Sequence, residues 1–145
     1  MHPDQEIPWD DKYKLGIRMI DHQHKKLFDL VNRLYDLEDA KSTKEELRVI
    51  LYAFNDYMQI HFKDEEKYML SIKYPNLEEH KQIHNNIIEN LTQIIQTPAK
   101  LSIIKTKMRV VAKRVLVDHI MHEDNKIKLF LQEREDEEIF NITDL

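Results

Sequence analysis

Two pairs of ionisable side chains in this sequence lie four residues apart, the spacing that brings side chains to one face of a helix. The pairs are His61 with Glu65 and His80 with His84. Four residues advance a helix by about 6 Å along its axis, so both members of a pair can reach one metal ion. Imidazole and carboxylate ligands suit iron, manganese, zinc, copper or nickel rather than calcium or magnesium. The two pairs therefore indicate a transition-metal site.

The composition limits how such a metal could be held. The 145 residues include eight His, one Gly and no Cys. Without Cys there can be no disulfide, iron–sulfur cluster, thiolate zinc site or cysteine nucleophile. A single Gly also excludes the glycine-rich phosphate loops of P-loop and Rossmann proteins. Histidine and carboxylate side chains are left as the candidate ligands.

The elements that position these residues are predicted from apolar residues three and four positions apart, the pattern of helices that bury one stripe. It recurs in four segments, which we expect to be helices at about residues 17–39, 43–70, 76–96 and 100–122. Each helix is about 30 Å long, and short connections make neighbouring helices antiparallel. We therefore predict an all-α fold, a single-domain antiparallel four-helix bundle with up-down-up-down topology.

The ends of the helices carry their own signals. Residues 1–15 are expected to form an irregular arm, and Ser42 and Thr43, followed by Glu45, indicate an N-cap for the second helix. A break is predicted at residues 73–76, and Pro98 ends the third helix. Residues 125–145 form a short C-terminal extension, in which an acidic run favours a solvated tail over a short extra helix.

Polar residues occupy positions that the periodicity assigns to the interior. Burying an ionisable group without a partner costs several kcal/mol, whereas a whole domain is stable by only about 5–15 kcal/mol. This argues against a metal-free structural bundle. The candidate ligands also exceed the four that zinc usually takes, which favours two ions of iron or manganese. The interior polar residues are His24, His61, Glu65, His80, His84 and His119.

An ordered series of motifs extends from Trp9 to Asp124. The series comprises Pro8-Trp9-Asp10, Gly16, Ile20-Asp21-His22-Gln23-His24, His61-Phe62-Lys63-Asp64-Glu65-Glu66 with Met69, Tyr74-Pro75, His80 with His84, and His119-Ile120 with Asp124. One pair of His four residues apart would be weak evidence, but the ordered series on four predicted helices is specific. In these motifs the chain resembles the hemerythrins, and in particular their single-domain bacterial form, the bacteriohemerythrins.

The resemblance implies a cofactor of two iron ions, cycling between Fe²⁺ and Fe³⁺ and joined by an oxo or hydroxo bridge. It implies that Glu65 and Asp124 bridge the two ions. One coordination position stays open, on the iron with two His ligands, and the resemblance implies that dioxygen binds there reversibly. The implied His ligands are His80, His84 and His119 on one iron and His24 and His61 on the other.

Spacing alone would not select Asp124 as a ligand. An offset of five residues from His119 turns a regular helix by about 140°, so His122 or Glu123 looks better placed. The resemblance therefore requires the helix to end, loosen or form a π-bulge between Met121 and Asp124. We follow the resemblance and expect Asp124 to point inward, with His122 and Glu123 facing outward or lying behind the ligands.

The resemblance also implies an apolar wall that keeps water from the open iron position. At one position the chain departs from the family, because Val115 replaces a Trp that the family often carries four residues before the last ligand His. We expect a roomier pocket and faster autoxidation from this difference. His22, two residues from His24, is expected on the surface. The pocket positions are Leu27, Phe62, Leu116 and Ile120.

Reversible dioxygen binding, for carriage, storage, delivery or sensing, is the function that these observations favour. The alternatives are a di-iron oxidase or peroxidase and a sensor module that responds to O₂ or iron. Ferritin-like di-iron proteins use paired Glu-x-x-His motifs, and no Glu in this sequence stands three residues before a His. We therefore expect an oxygen-binding protein rather than an enzyme, with weak peroxidase activity left open.

Charge and hydropathy indicate where such a protein would act. The formal net charge is −5, no apolar run is long enough to span a bilayer, and the N-terminus lacks the features of a signal peptide. We expect a cytoplasmic protein that does not bind nucleic acid. The sequence does not identify an oxygen-consuming partner protein, and a monomer is favoured only slightly.

Overall fold

The computed structural model describes residues 7–37 and 44–143, with side chains described as far as residue 136. Within these residues the chain is helical and contains no strand. The bundle is formed by four rods that contact each other in chain order, and the first also contacts the last. This confirms the predicted all-α four-helix bundle. The helices are α1 Arg18–Tyr35, α2 Lys44–Ser71, α3 Leu77–Gln96, α4 Leu101–Ala112 and α5 Asn125–Thr143, with a π-helical segment, Lys113–Asp124, between α4 and α5.

One apolar core lies between the rods. Each helix contributes residues three or four positions apart, as expected for a helix that buries one stripe. No helix among the described residues is long and apolar enough to cross a membrane. The largest buried apolar side chains of this core include Leu27, Phe28, Leu34, Phe54, Met58, Leu91, Met108, Leu116 and Ile120.

The N-terminal arm is held against α1 by aromatic contacts. Trp9 meets Phe28 edge to face with ring centroids 5.4 Å apart, and Tyr13 stacks on Phe28 at 5.2 Å. The arm enters α1 through Gly16, whose φ of +82° is the left-handed conformation that glycine adopts without strain. Asp21 then accepts hydrogen bonds from the backbone N–H groups of Leu15 and Gly16, at 2.7 and 3.1 Å.

The turn between α2 and α3 ends the second helix in a Schellman motif. The N–H of Tyr74 donates to the carbonyl of Met69 at 2.9 Å, and the N–H of Lys73 donates to that of Leu70 at 3.1 Å. Lys73 itself has a φ of 58°, a conformation more often filled by glycine. The break predicted at residues 73–76 is therefore a tight helix cap. The predicted N-cap residues Ser42 and Thr43 lie outside the described residues.

The expectation of a solvated C-terminal tail is wrong, because residues 125–143 form helix α5. The reason is an apolar stripe within the acidic sequence. Ile127 is fully buried with Met69 and Tyr74, while Phe130 and Leu131 pack against the same cluster. One turn later, Arg134 donates a hydrogen bond to the carbonyl of Ile72 at 2.7 Å. This spacing of three and four residues lays the helix against the α2–α3 turn, and Glu133, Glu135 and Asp136 are exposed to solvent.

Candidate metal centre

Seven side chains that the sequence nominated meet in the interior near one end of the bundle. All seven are buried, and the most accessible, His119, is only 5% exposed. Every rod of the bundle contributes at least one of them, so the cluster depends on the complete fold. His24 comes from α1, His61 and Glu65 from α2, His80 and His84 from α3, and His119 and Asp124 from the π-helical segment.

Glu65 lies between the His residues and turns one carboxylate oxygen to each side. Its Oε1 is 2.8 Å from His80 Nε2 and 3.1 Å from His84 Nε2. Its Oε2 is 3.2 Å from His61 Nε2 and 3.7 Å from His24 Nε2. One carboxylate therefore serves two separate groups of imidazoles.

Asp124 repeats this division from the opposite rod. Its Oδ1 lies 3.0 Å from His80 Nε2 and 3.1 Å from His119 Nε2, whereas its Oδ2 lies 3.2 Å from His24 Nε2. The cluster thus contains two overlapping sets of ligand atoms, and within each set all ligand atoms lie within 4.8 Å of one another. Both sets share the two carboxylates. The three-His set is His80, His84 and His119, and the two-His set is His24 and His61.

A π-helix explains how Asp124 reaches the centre. Its hydrogen bonds join residues five apart, so a residue at i+5 lies close to residue i, as Asp124 lies to His119. An irregularity was expected only between Met121 and Asp124, but the structure extends it over the 12 residues from Lys113 to Asp124. The longer segment turns five residues toward the core together, namely Val115, Leu116, His119, Ile120 and Asp124.

The neighbouring polar residues face outward, as expected. His122 and His22 are exposed. Glu123 is half-buried and pairs with Lys126, whose Nζ lies 3.3 Å from its Oε1. The structure therefore brings together the residues that the resemblance implied, and leaves out the two that a regular helix would have favoured.

The two buried carboxylates remain ionised because imidazoles surround them. Burial raises the pKa of Glu65, but attraction to His24 and His61 outweighs burial and holds the pKa well below its usual value. Burial and the charge of Glu65 likewise raise the pKa of Asp124, yet His119 and His24 bring it far below its usual value. In the metal-free protein the two carboxylates therefore each carry a negative charge, which suits cations as partners.

The pKa values of three of the His residues are shifted in the metal-free protein, two upward and one downward. Burial lowers the pKa of His24, but attraction to Asp124 and Glu65 is stronger and raises it to about 9. The same balance raises the pKa of His80 to about 10. For His61 burial prevails, and its pKa is lowered. Protons on His24 and His80 therefore balance the carboxylates in the metal-free protein, and metal ions would displace them.

Several polar atoms of the cluster have no hydrogen-bond partner among the described residues, although all are buried. Such atoms are costly unless a ligand or ion pairs with them. They point toward one another, and they are nitrogen and oxygen atoms, which is the donor set for iron, manganese or zinc. The residues therefore fit metal ions. The unpartnered atoms include Nε2 of His24, His84 and His119, Oε2 of Glu65 and both carboxylate oxygens of Asp124.

Hydrogen bonds at the Nδ1 atoms of two of the His residues fix the orientation of their rings. His84 Nδ1 donates to Glu66 Oε2 at 2.8 Å, and His61 Nδ1 donates to Gln23 Oε1 at 2.7 Å. Gln23 Nε2 donates in turn to Asp64 Oδ2 at 2.7 Å, which fixes the orientation of the amide. With Nδ1 protonated, Nε2 keeps its lone pair for a metal. The sequence analysis assigned these partners no role, and their signal was only their position within the ligand motifs.

An apolar pocket adjoins the two-His set. Leu27, Phe62, Leu116 and Ile120 all line it, as does Val115, the wall position at which the chain departs from the family. Met58 also lines the pocket and was not predicted there. The space between the walls is about 170 Å³, none of which admits a sphere the size of water. Phe62 also stacks on the His84 ring, with centroids 3.7 Å apart. The pocket is thus dry, and it borders both imidazoles of the two-His set and His119 of the three-His set.

Comparison with known proteins agrees with this geometry. The profile of the hemerythrin family, described as "Hemerythrin HHE cation binding domain", matches residues 15–131, which include all seven clustered side chains. The chain is 32% identical over 117 residues to a bacteriohemerythrin of Campylobacter jejuni, covering 80% of this chain and 88% of that protein. It is 34% identical over 127 residues to a myohemerythrin of Theromyzon tessulatum, covering 85% and 95%.

A bacteriohemerythrin of Clostridium acetobutylicum is 35% identical over 86 residues, covering 57% of this chain and 67% of that protein. The matched segment of the family profile covers well over half of the chain, and two of these relatives are covered almost completely. The chain belongs to the hemerythrin family.

Proposed function

We propose that this protein binds dioxygen reversibly at a centre of two iron ions. The observation that carries the proposal is the division of Glu65 and Asp124, each of which presents one oxygen to a three-His set and the other to a two-His set. A single metal would not need two carboxylates shared in this way. Membership of the hemerythrin family and the resemblance of the motifs support iron as the metal.

In this proposal His80, His84 and His119 would hold one iron, His24 and His61 would hold the other, and Glu65 and Asp124 would each contribute one oxygen to each ion. When bound, the two ferrous ions would supply the electrons for reversible dioxygen binding. Glu66 and Gln23 orient His84 and His61 so that Nε2 faces the metal. The ligands come from all four rods, so their positions are set before the metal binds.

The pocket wall limits what else can happen at the open position. Leu27, Met58, Phe62, Leu116 and Ile120 carry no proton donor, and together they leave no space for water. Protons reach a buried site through water or through acidic side chains, so this wall hinders proton delivery. Hindered proton delivery favours release of intact dioxygen over its reduction.

We propose an oxygen-binding protein rather than an enzyme. All the acidic and imidazole groups of the dry pocket belong to the proposed ligand set, so the pocket wall provides no spare general acid or base. The alternatives are a di-iron oxidase or peroxidase and a sensor that responds to O₂ or iron, and the sensor would use the same ligand motifs. An oxidase would convert the irons irreversibly. A cytoplasmic location and a monomeric state stay predictions.

The test is the visible absorption spectrum of the reduced, iron-loaded protein. We expect a band that appears on exposure to air and disappears when oxygen is removed, over repeated cycles, with two irons per chain by metal analysis. Irreversible conversion in the first cycle would support the oxidase alternative. Iron well below two per chain would contradict the paired sites. The His119→Ala variant should lose the band, whereas His122→Ala, three residues away and exposed, should keep it.

A further inference from the structure

A cleft between α3 and α4 leads from the surface toward the dry pocket. Its volume is about 480 Å³, and it opens to solvent. Ile87 and Ile94 from α3 and Val110 and Val111 from α4 line it, together with polar residues such as Asn90 and Lys107. The cleft therefore offers apolar surface to a small apolar molecule that enters from solvent.

Val115 connects this cleft to the metal centre. Its side chain lines the cleft and also lines the dry pocket beside His24 and His61. It is only 5% exposed, so it closes the inner end of the cleft. A second cleft, of about 570 Å³ around Leu47 and Leu51, shares no lining residue with the dry pocket. Val115 is thus the one lining residue that the α3–α4 cleft shares with the dry pocket.

The physical properties of dioxygen suit this path. Dioxygen is small and apolar, and apolar space is favourable for it while it is unfavourable for water and ions. Valine has a short side chain, so only a small displacement is needed to open a passage beside it. Leu27, Met58 and Phe62, on the α1–α2 side of the pocket, are larger and are each at most 4% exposed.

We propose that the α3–α4 cleft is the access route for dioxygen and that Val115 is the side chain that controls passage into the pocket. The proposal rests on the proposed oxygen-binding function. In this proposal Val115 sets how fast dioxygen enters and leaves the pocket, because it lies between the cleft and the dry pocket. A residue on the route changes the association and dissociation rates together, whereas a residue that only contacts the bound ligand changes the affinity.

The test is the kinetics of oxygen binding by the iron-loaded protein, measured by rapid mixing, in variants that fill the route. Val115→Trp is expected to slow association and dissociation each about tenfold, which equals a barrier higher by about 1.4 kcal/mol, with the ratio of the rates conserved. Val111→Trp fills the cleft without touching the pocket and is expected to act in the same direction. Val115→Ala should speed both rates. Val49→Trp, at an exposed position of α2, is the matched control.

Two outcomes would overturn the proposal. One is unchanged rates in both cleft variants while oxygen still binds. The other is a change of affinity with Val115→Trp and no effect of Val111→Trp, which would make Val115 part of the binding pocket alone. If Val115→Trp does not fold because the core is overfilled, Val111→Trp still decides between these outcomes.

A second measurement does not depend on oxygen binding. Xenon under pressure is an apolar gas probe whose effect on methyl NMR signals can be followed in the zinc-loaded protein. We expect the largest shifts at Ile87, Ile94 and Val111, with smaller shifts at Leu47 and Leu51. No shift at the cleft methyl groups would contradict the route. Failure of reversible oxygen binding with xenon still in the cleft would contradict the proposed function instead.

Discussion

The two ends of the bundle are equally buried but by different kinds of side chain. At one end Leu34, Leu47, Leu51 and Met108 form an ordinary apolar core. At the other end, seven histidine and carboxylate side chains take the place that apolar residues would fill. Burial of apolar area stabilises the first end under all conditions. The second end balances charges that are costly to bury, and its buried polar atoms are fully satisfied only with metal. The first end is therefore stabilised by apolar burial alone, whereas a bound ion would add to the stability of the second.

The largest expected effect is at Asp124, one of the two carboxylates shared by both His sets. Asp124→Asn removes one negative charge from a buried cluster and should destabilise the metal-free protein by about 3–5 kcal/mol in denaturant unfolding, because breaking a buried ion pair leaves its partners uncompensated. Iron content should fall sharply. The adjacent variant Glu123→Gln, which changes a half-buried pair with Lys126, is the control and should cost less than about 1 kcal/mol. Equal losses of stability in the two variants would mean that the buried ionic cluster does not set the stability of the metal end, and the contrast with the apolar end would fall.

A core substitution at the apolar end should separate stability from metal binding. Leu51→Ala, at a side chain only 5% exposed, is expected to cost about 3 kcal/mol because it leaves a cavity. Iron per chain and the oxygen-dependent spectrum should stay unchanged. Loss of iron in this variant, measured under conditions where it is folded, would show that the two ends are not independent.

A smaller effect, on metal affinity, is expected at a residue that hydrogen-bonds to a His of the centre. Glu66→Gln keeps the shape of the side chain that accepts from His84 Nδ1 but removes its charge. Metal affinity should fall by about tenfold to a hundredfold, because such partners orient the ligand and increase its basicity. Competition with a chelator measures this change. Glu78→Gln, an exposed residue of α3, should leave metal affinity unchanged, and an equal loss in both variants would attribute the effect to general charge.

The smallest effect is expected at the turn that supports the metal end. Lys73→Gly should raise the free energy of unfolding by up to about 1 kcal/mol, because Lys73 holds a left-handed conformation that costs a non-glycine residue about 1–2 kcal/mol. Part of the gain is lost to the greater freedom of glycine in the unfolded chain. Thermal unfolding of the metal-free protein measures the change. Destabilisation would mean that the Lys73 side chain contributes more than its backbone strain costs.

How well the sequence predicted the structure differs between elements. The helical stripes around His61 and His84 follow the regular period of 3.6 residues, so both the helices and the polar interior positions could be recognised. Asp124 could not be placed by spacing, because it lies in the π-helical segment, where the helical period differs from 3.6 residues. The motif resemblance was needed there. Helix α5 was missed because its acidic composition hides the apolar stripe of Ile127, Phe130 and Leu131.

The residues that hydrogen-bond to His61 and His84 were not predicted from the sequence, for another reason. Gln23 and Glu66 are polar residues beside ligands in sequence, and nothing in their type distinguishes them from solvated neighbours such as His22. Their roles depend on distances between helices, which sequence periodicity does not contain. The lining of the dry pocket was easier to predict, since apolar residues next to buried polar residues on a helix are buried with them.

The π-helical segment has a consequence for anyone who would engineer this bundle. A redesign that made the last rod a regular α-helix would follow the usual rules for increasing stability. The apolar end would tolerate it, because its core residues lie before Lys113. At the other end, the regular helix would rotate the aspartate away and separate the shared oxygens from both sets of imidazoles. A regular helix would therefore gain stability and lose the metal centre, and repacking of apolar residues could not restore it.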